Sequence, residues 1–184
     1  MSSVAVFDVD GVLVDTYEIV RQAYARVGVD IHDRRWGVAW QTWLPEYCDD
    51  DLDRARSLHD RKTEAHLDLL NRVTVNTLSG AKVAESLRSS GWTVKLITAG
   101  TREVVHSTFS SVNPSWIGLL AGTDLDPTGK RRALEHISPS GGVYIDDNYA
   151  LGCEITKDTR WRLVHFRNQN EGTLTREITA PWTQ

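Results

Sequence analysis

The chain carries, near its amino terminus, the sequence Val-Ala-Val-Phe-Asp-Val-Asp-Gly-Val-Leu-Val-Asp-Thr at residues 4–16. The run from Val4 to Val9 is short, apolar and rich in β-branched residues, and it ends in acids. Such a run is typical of a strand that is buried on both faces of a parallel sheet. Asp8 and Asp10 are two residues apart, so in an extended chain both carboxylates point the same way. The segment therefore predicts a buried strand with two acids facing one site at its carboxyl end.

Similar apolar runs recur further along the chain, at residues 94–98, 142–145 and 162–166. Helical patterns lie between the runs, with apolar side chains repeating on one face. Strands that alternate with helices predict an α/β fold with a Rossmann-like, mostly parallel sheet.

The stretch between the first two strands has helical periodicity and no convincing strand. It is far longer than the usual crossover between parallel strands. We therefore predict a core formed by residues 1–15 and 77–184, with a helical cap formed by residues 16–76 inserted after the first strand. A chain of 184 residues has room for one core and a modest insertion. The polar, weakly patterned tail from residue 167 to residue 184 is expected to be loosely ordered.

The composition indicates a soluble protein that handles a small molecule. No apolar run approaches the roughly 20 residues of a membrane helix, and the amino terminus lacks the basic start of a secretory signal, so we expect a cytoplasmic protein without membrane association. The net charge of −4 and the scattered basic residues argue against nucleic-acid binding. The two cysteines lie far apart, which argues against a disulfide framework or a thiolate zinc site. We expect a monomer or a homodimer.

The acid pair at Asp8 and Asp10 needs something to offset its charge. Two ionised carboxylates that lie close together repel each other unless a cation neutralises them or one of them holds a proton. Hard oxygen ligands beside a phosphate favour Mg²⁺, and ligands of open parallel sheets bind beyond the carboxyl ends of the strands. Taken alone, however, Asp-x-Asp-Gly fits a solvated turn equally well.

Residues 7–16, Phe-Asp-Val-Asp-Gly-Val-Leu-Val-Asp-Thr, resemble the first motif of the haloacid dehalogenase (HAD) superfamily. Three further segments match that family in its order: Leu-Ile-Thr-Ala-Gly at residues 96–100, Lys130 at the start of a helix, and Tyr-Ile-Asp-Asp-Asn at residues 144–148. Together the matches span almost the whole predicted core. The resemblance implies an α/β core with a small helical cap, and a phosphatase that forms an aspartyl-phosphate.

The resemblance also implies a role for each matching residue. Asp8 would attack phosphorus, and Asp10 would first protonate the leaving oxygen and then deprotonate the hydrolytic water. The phosphate would be bound by a hydroxyl, two backbone amides and an ammonium, those of Thr98, Ala99, Gly100 and Lys130.

Four acids would form the Mg²⁺ site that the resemblance implies: Asp8, Asp10, Asp146 and Asp147. The last two depart from the commoner Gly-Asp-x-x-x-Asp pattern, because Ile145 precedes the first of them and Ala150 stands where the later acid often lies. The resemblance therefore favours Asp146 as a direct ligand and leaves the role of Asp147 open.

The predicted cap offers further candidates for contact with a substrate. Trp36, Trp40 and Trp43 recur at i, i+4 and i+7, which places three indoles on one face of a helix. Packing is the favoured explanation, and a wall facing the substrate is the alternative. Arg34 and Arg35 precede this stripe and could hold an anionic part of a substrate.

The other charged residues of the cap are interpreted as a solvated, salt-bridged helix face, formed by Arg54, Arg56, Arg61 and Lys62 with acids between them. The six histidines show no metal-binding spacing. They are interpreted as surface or hydrogen-bonded residues.

These features predict a Mg²⁺-dependent phosphatase that hydrolyses a small phosphate monoester through an aspartyl-phosphate on Asp8. A phosphomutase of the same superfamily would use the same core residues and is the first alternative. A haloacid dehalogenase attacks carbon and needs no general acid at the position of Asp10, which argues against it. A noncatalytic phosphate-binding module is the remaining alternative, because a fold alone does not establish an activity.

Overall fold

The computed structural model describes residues 3–31 and 37–181. Its strands, in chain order, are β1 (Val4–Phe7), β2 (Val14–Asp15), β3 (Asn76–Thr77), β4 (Thr93–Ile97), β5 (Leu120–Gly122), β6 (Gly142–Asp146) and β7 (Trp161–His165). Its α-helices are α1 (Tyr17–Arg26), α2 (Trp40–Tyr47), α3 (Leu52–Leu70), α4 (Ser79–Ser89), α5 (Arg102–Val112), α6 (Pro127–Ile137), α7 (Tyr149–Thr156) and α8 (Glu171–Thr179), and a 3₁₀ turn spans Pro114–Leu119. None of these helices is both long enough and apolar enough to cross a membrane.

Five of the strands form one parallel sheet in the order β5-β4-β1-β6-β7. The middle strand, β1, is apolar on both faces and is buried on both. Ala5 and Phe7 pack into one cluster with side chains of α4, α5 and α8, while Val6 packs into a second cluster with side chains of α6 and α7. Helices therefore cover both faces of the sheet, as a parallel sheet requires. The predicted α/β, Rossmann-like architecture is confirmed.

The strand order places the predicted functional residues at one edge of the sheet. Because β1 pairs with β4 on one side and with β6 on the other, the residues that follow these strands become neighbours. Asp8 follows β1, Thr98 follows β4, and Asp146 ends β6. The backbone N–H of Asp8 donates to the carbonyl of Ile145 at 2.8 Å, which ties the first acid to the neighbouring strand.

Helices α1, α2 and α3 lie in the stretch that was predicted to form an inserted cap. Strands β2 and β3 pair antiparallel at its two ends, so the chain leaves the core and returns to it at the same place. The helices share an apolar cluster of their own, which includes Tyr24, Trp43 and Leu58. The amide of Gln41 donates to the Asp124 carboxylate of the core at 3.3 Å. The proposed domain limits at residues 16 and 76 stay a prediction.

The prediction of a loosely ordered tail is wrong for residues 171–179. This segment forms α8, whose Leu174 and Ile178 are buried in the same cluster as β1. The two side chains are four residues apart and so share one helix face. Asn170 begins the helix by accepting a hydrogen bond from the N–H of Thr173 at 3.0 Å. The two buried apolar side chains and the N-cap help to order this mostly polar segment.

Candidate active site

Asp8 and Lys130 form a buried ion pair at the carboxyl end of the sheet. The Lys130 ammonium donates to Asp8 Oδ1 at 2.7 Å and lies 3.7 Å from Asp146 Oδ2. The side chains of Asp8 and Lys130 are only 4% and 2% exposed. Lys130 belongs to the first turn and a half of α6, which begins after the N-cap Asp126. Helix capping by Asp126 thus aims the lysine at the acid that ends β1.

Three carboxylates converge beside this pair. Asp8, Asp146 and Asp147 each place one oxygen within 4.8 Å of the others. Asp146 is held by the N–H of Asn148 at 2.8 Å and by the hydroxyl of Tyr144 at 2.5 Å. Three acids with one lysine leave excess negative charge in a buried place, which is the donor set expected of a site for a hard cation. The group fits a metal site.

The pKa shifts of Asp8 and Lys130 are those expected of a site that holds more negative than positive charge. Burial raises the pKa of Asp8 well above its ordinary value; Asp146 and Asp147 add to the rise, and Lys130 opposes it. Burial by itself lowers the pKa of Lys130, but Asp8 and Asp146 outweigh it and raise that pKa. The lysine is therefore charged at neutral pH, and a further cation would favour the ionised form of Asp8.

Asp10 is held apart from the three-acid group, by two threonines. The hydroxyl of Thr16 donates to Asp10 Oδ1 at 2.6 Å, and that of Thr98 lies 3.2 Å from Oδ2. Asp10 was predicted to share in the metal site, but its carboxylate is not a member of the converging set. The physical reason is the turn after Val9, which directs the second acid toward β4.

Thr98 and Gly100 form a tight turn after β4 instead of offering free donors. The buried Thr98 hydroxyl, which interacts with Asp10, also accepts the N–H of Gly100 at 2.9 Å. Both had been predicted to bind phosphate, and in the structure they are hydrogen-bonded to each other. Ala99 and Gly100 do line the cavity described below, together with Thr101 at the start of α5. Their role in phosphate binding stays a prediction.

Gly11 allows the acid-bearing turn to approach the metal-ligand candidates. Its φ is +76°, in the left-handed region that favours glycine. A Cβ at this position would overlap the carboxylate of Asp147. The Asp-x-Asp-Gly sequence therefore requires glycine both for its backbone conformation and for the close approach of Asp147.

A cavity of about 80 Å³ opens between the predicted cap and the core. Asp10 lies on its wall, along with Ala99, Gly100, Thr101 and Val104 of the core. The cap side is lined by Val20, Tyr24, Ile31, Gly37, Val38, Trp40, His59, Lys62 and His66. The cavity thus joins the predicted general acid to a set of aromatic and basic side chains.

The structure places Lys62, His59 and His66 differently from what the sequence predicted. Lys62 was assigned to a solvated, salt-bridged face, yet it is half-buried and lines the cavity. Arg54 and Asp49 do form an exposed pair of the expected kind, at 3.4 Å. His59 and His66 were expected to be surface or hydrogen-bonded residues, but both are buried, and Nδ1 of each ring has no hydrogen-bond partner among the described residues. The missed signal is spacing, because positions 59, 62 and 66 share one helix face.

The tryptophan stripe is found only in part. Trp40 and Trp43 lie on α2, which begins at Trp40, whereas Trp36, Arg34 and Arg35 fall outside the described residues. Trp43 is buried within the apolar cluster of the cap helices, as the packing explanation expects. Trp40 lines the cavity and stacks on His59, with ring centroids 4.5 Å apart and an interplanar angle of 19°.

Known proteins resemble the chain in fold and little in sequence. No sequence-family model matches it, and a search of curated proteins gives no match. CbbY from Rhodobacter sphaeroides, solved with phosphate, is 18% identical over 92% of this chain and 88% of that one, with a TM-score of 0.69. A HAD hydrolase (family IA, variant 3) from Entamoeba histolytica is 12% identical over 96% and 89%, with a TM-score of 0.72. A candidate β-phosphoglucomutase from Bacteroides vulgatus is 14% identical over 97% and 82%, with a TM-score of 0.65.

Proposed function

Given that the chain has the fold of the haloacid dehalogenase superfamily, we propose that it is a Mg²⁺-dependent phosphatase acting on small phosphate monoesters. The observation that carries this proposal is the buried Asp8, paired with Lys130 and set beside two more carboxylates. A carboxylate in such a place is a competent nucleophile once cations offset the charge of an incoming phosphate. Asp10 stands two residues away, on the wall of a cavity of about 80 Å³.

The metal-ligand candidates are Asp8, Asp146 and Asp147. When bound there, Mg²⁺ would neutralise charge on the phosphate and on the acids around it. Tyr144 holds Asp146 through its hydroxyl, so the second acid has a fixed orientation. Lys130 adds a charge that persists at neutral pH beside the nucleophile.

The chain's own residues account for both halves of a hydrolysis. An oxygen of Asp8 bonds to phosphorus, the ester P–O bond breaks, and the leaving oxygen takes a proton from Asp10. In the second half, Asp10 takes a proton from water as the water oxygen bonds to phosphorus, and the acyl P–O bond breaks to free Asp8 and phosphate. Thr16 and Thr98 fix the position of Asp10 for both proton transfers.

The alternatives differ in what happens to the phosphoryl group. A phosphomutase would form the same aspartyl-phosphate and return the group to the substrate, and a solved structure resembling the chain is a candidate mutase. A noncatalytic module would bind phosphate without turnover. The partners and setting that we propose are those of a small-metabolite enzyme: a phosphate ester substrate, no nucleic acid, no membrane, a cytoplasmic location, and a monomer or homodimer.

The proposal is tested by phosphate release from a panel of small phosphate esters, with Mg²⁺ or with excess chelator. We expect release that requires the metal and is abolished in Asp8→Asn. The exposed Asp158 tolerates Asn at its positive φ, so Asp158→Asn is the matched control and should keep full activity. Equal rates in Asp8→Asn and in the unmodified protein would refute the proposal. Isomerised ester without phosphate release would favour the mutase.

A further inference from the structure

One face of α3 presents three basic side chains to the cavity: His59, Lys62 and His66. They stand at i, i+3 and i+7, which places them in one stripe along the helix. The opposite face carries exposed residues such as Arg61. Because Asp10 lines the same cavity, the stripe borders the site proposed for catalysis.

Several polar atoms around the cavity are buried and lack a hydrogen-bond partner among the described residues. They are Nδ1 and Nε2 of His66, Nδ1 of His59, Nε1 of Trp40 and Oγ1 of Thr101. His66 is only 2% exposed. Buried polar groups in native proteins are nearly always paired, and a cluster of exceptions calls for an explanation. A polar ligand that enters the cavity supplies one.

The charge of the stripe indicates whether that ligand should be positively or negatively charged. Within residues 3–31 and 37–181, no carboxylate oxygen lies within 4.0 Å of the Lys62 ammonium. Its ammonium instead lies 5.0 Å from the centroid of the Tyr24 ring. Burial lowers the pKa of His59 to about 4 and that of His66 to about 3, so both rings are neutral donors or acceptors at neutral pH. One cation flanked by neutral imidazoles suits an anion.

We infer that His59, Lys62 and His66 form a subsite for a small anionic group at the end of the substrate remote from its phosphate. This inference rests on the proposed phosphatase function and narrows its substrates to short phosphate esters with a second anion, a carboxylate or a second phosphate. The cavity supports the small size, because about 80 Å³ corresponds to roughly five to eight water positions.

Lys62 could instead serve Asp10 alone, as a distant counter-charge. The two explanations predict different selectivity. A counter-charge for Asp10 affects every phosphate ester alike, whereas an anion subsite affects only ligands that carry the second anion. The test therefore compares ligands that differ in that group and in nothing else.

The experiment is calorimetric titration of the unmodified protein, with Mg²⁺ present, using phosphonates that cannot be hydrolysed. 3-Phosphonopropionate carries the second anion, and 3-hydroxypropylphosphonate replaces its carboxylate with a hydroxymethyl group. Propane-1,3-bisphosphonate tests a second phosphate-like group in place of the carboxylate. The same titrations are made on Lys62→Met and Lys62→Gln, and on Arg61→Met, which removes a neighbouring charge from the exposed face.

We expect 3-phosphonopropionate, propane-1,3-bisphosphonate or both to bind at least about tenfold more tightly than 3-hydroxypropylphosphonate. This factor corresponds to the gain of one charge-assisted hydrogen bond. The preference should vanish in both Lys62 variants and persist in Arg61→Met. Equal binding of all three ligands, or an unchanged preference in folded Lys62 variants, would overturn the subsite. Binding needs no turnover, so a missing phosphatase activity with this preference intact refutes the proposed function alone.

Discussion

Acid should lower the unfolding free energy through His66, because its buried ring resists protonation in the folded protein. Burial, with a smaller contribution from Lys62, lowers the pKa of His66 to about 3, whereas an unfolded histidine has a pKa of about 6.5. As the pH falls below about 6.5, the unfolded state binds a proton that the folded state does not. Stability is therefore fully present above that pH and is lost as the pH falls toward the folded pKa.

The size of the effect follows from the unfolded pKa. Between about pH 7.5 and about pH 5, one histidine that stays neutral in the fold costs about 2 kcal/mol of unfolding free energy. Urea unfolding at the two pH values measures it. In His66→Leu the acid-induced loss should be about 2 kcal/mol smaller than in the unmodified protein, whatever the substitution does to stability itself. His136 is exposed, so His136→Leu should keep the full loss. An equal loss in all three proteins would refute a neutral, buried His66.

Three further substitutions test the arrangement of the site. Lys130→Met should lower the unfolding free energy by about 3–5 kcal/mol in urea titrations, because it leaves buried carboxylates without their cation; the exposed Lys157→Met should change it little. Gly11→Ala should weaken Mg²⁺ binding in calorimetry, whereas Gly28→Ala, with a similar positive φ and open space around it, should not. Tyr144→Phe should weaken Mg²⁺ binding about 10- to 100-fold, since it frees the acid that its hydroxyl orients; unchanged affinity would show that the tyrosine is only a packing residue.

The parallel core was predictable because its signals are local and repeated. Residues 4–7, 93–97, 142–146 and 161–165 are strands close to where the apolar runs placed them. Asp8 and Asp10 follow the middle strand of the sheet, β1, whose Ala5, Val6 and Phe7 are fully buried, as expected of its continuous apolar run. β5, by contrast, was not predicted, since a run of three residues ending in Gly122 gives little periodicity.

The cap side of the cavity was harder to predict, because charge obscured the pattern. Lys62 stands in the same helical series as Ala55, Leu58 and Leu69, which are all buried. Its position on an otherwise apolar stripe was the available signal, while its neighbours Arg61 and Asp60 suggested a solvated face. Which side chains meet across a cavity depends on how the helices pack, and no local pattern in one sequence encodes that packing.

The details of the acid site also depend on geometry that spacing alone does not give. Extended chain would place Asp8 and Asp10 on the same side, yet the turn after Val9 brings the Asp10 carboxylate to Thr16 and Thr98, outside the converging set. Asp147, whose role the sequence left open, joins Asp8 and Asp146 in the converging set. Metal binding by that set stays a prediction, to be tested with the ion itself.

In the proposed mechanism, Asp8 carries the phosphoryl group during turnover. To detect the adduct, the protein is mixed with Mg²⁺ and an ester that it hydrolyses, and the reaction is quenched rapidly during turnover. Borohydride then reduces the acyl phosphate to an alcohol, and peptide mass spectrometry locates the reduced residue. We expect homoserine at position 8, and more of it in Asp10→Asn if that variant slows attack by water more than formation of the adduct. Phosphate release at the normal rate with aspartate intact at position 8 would contradict it.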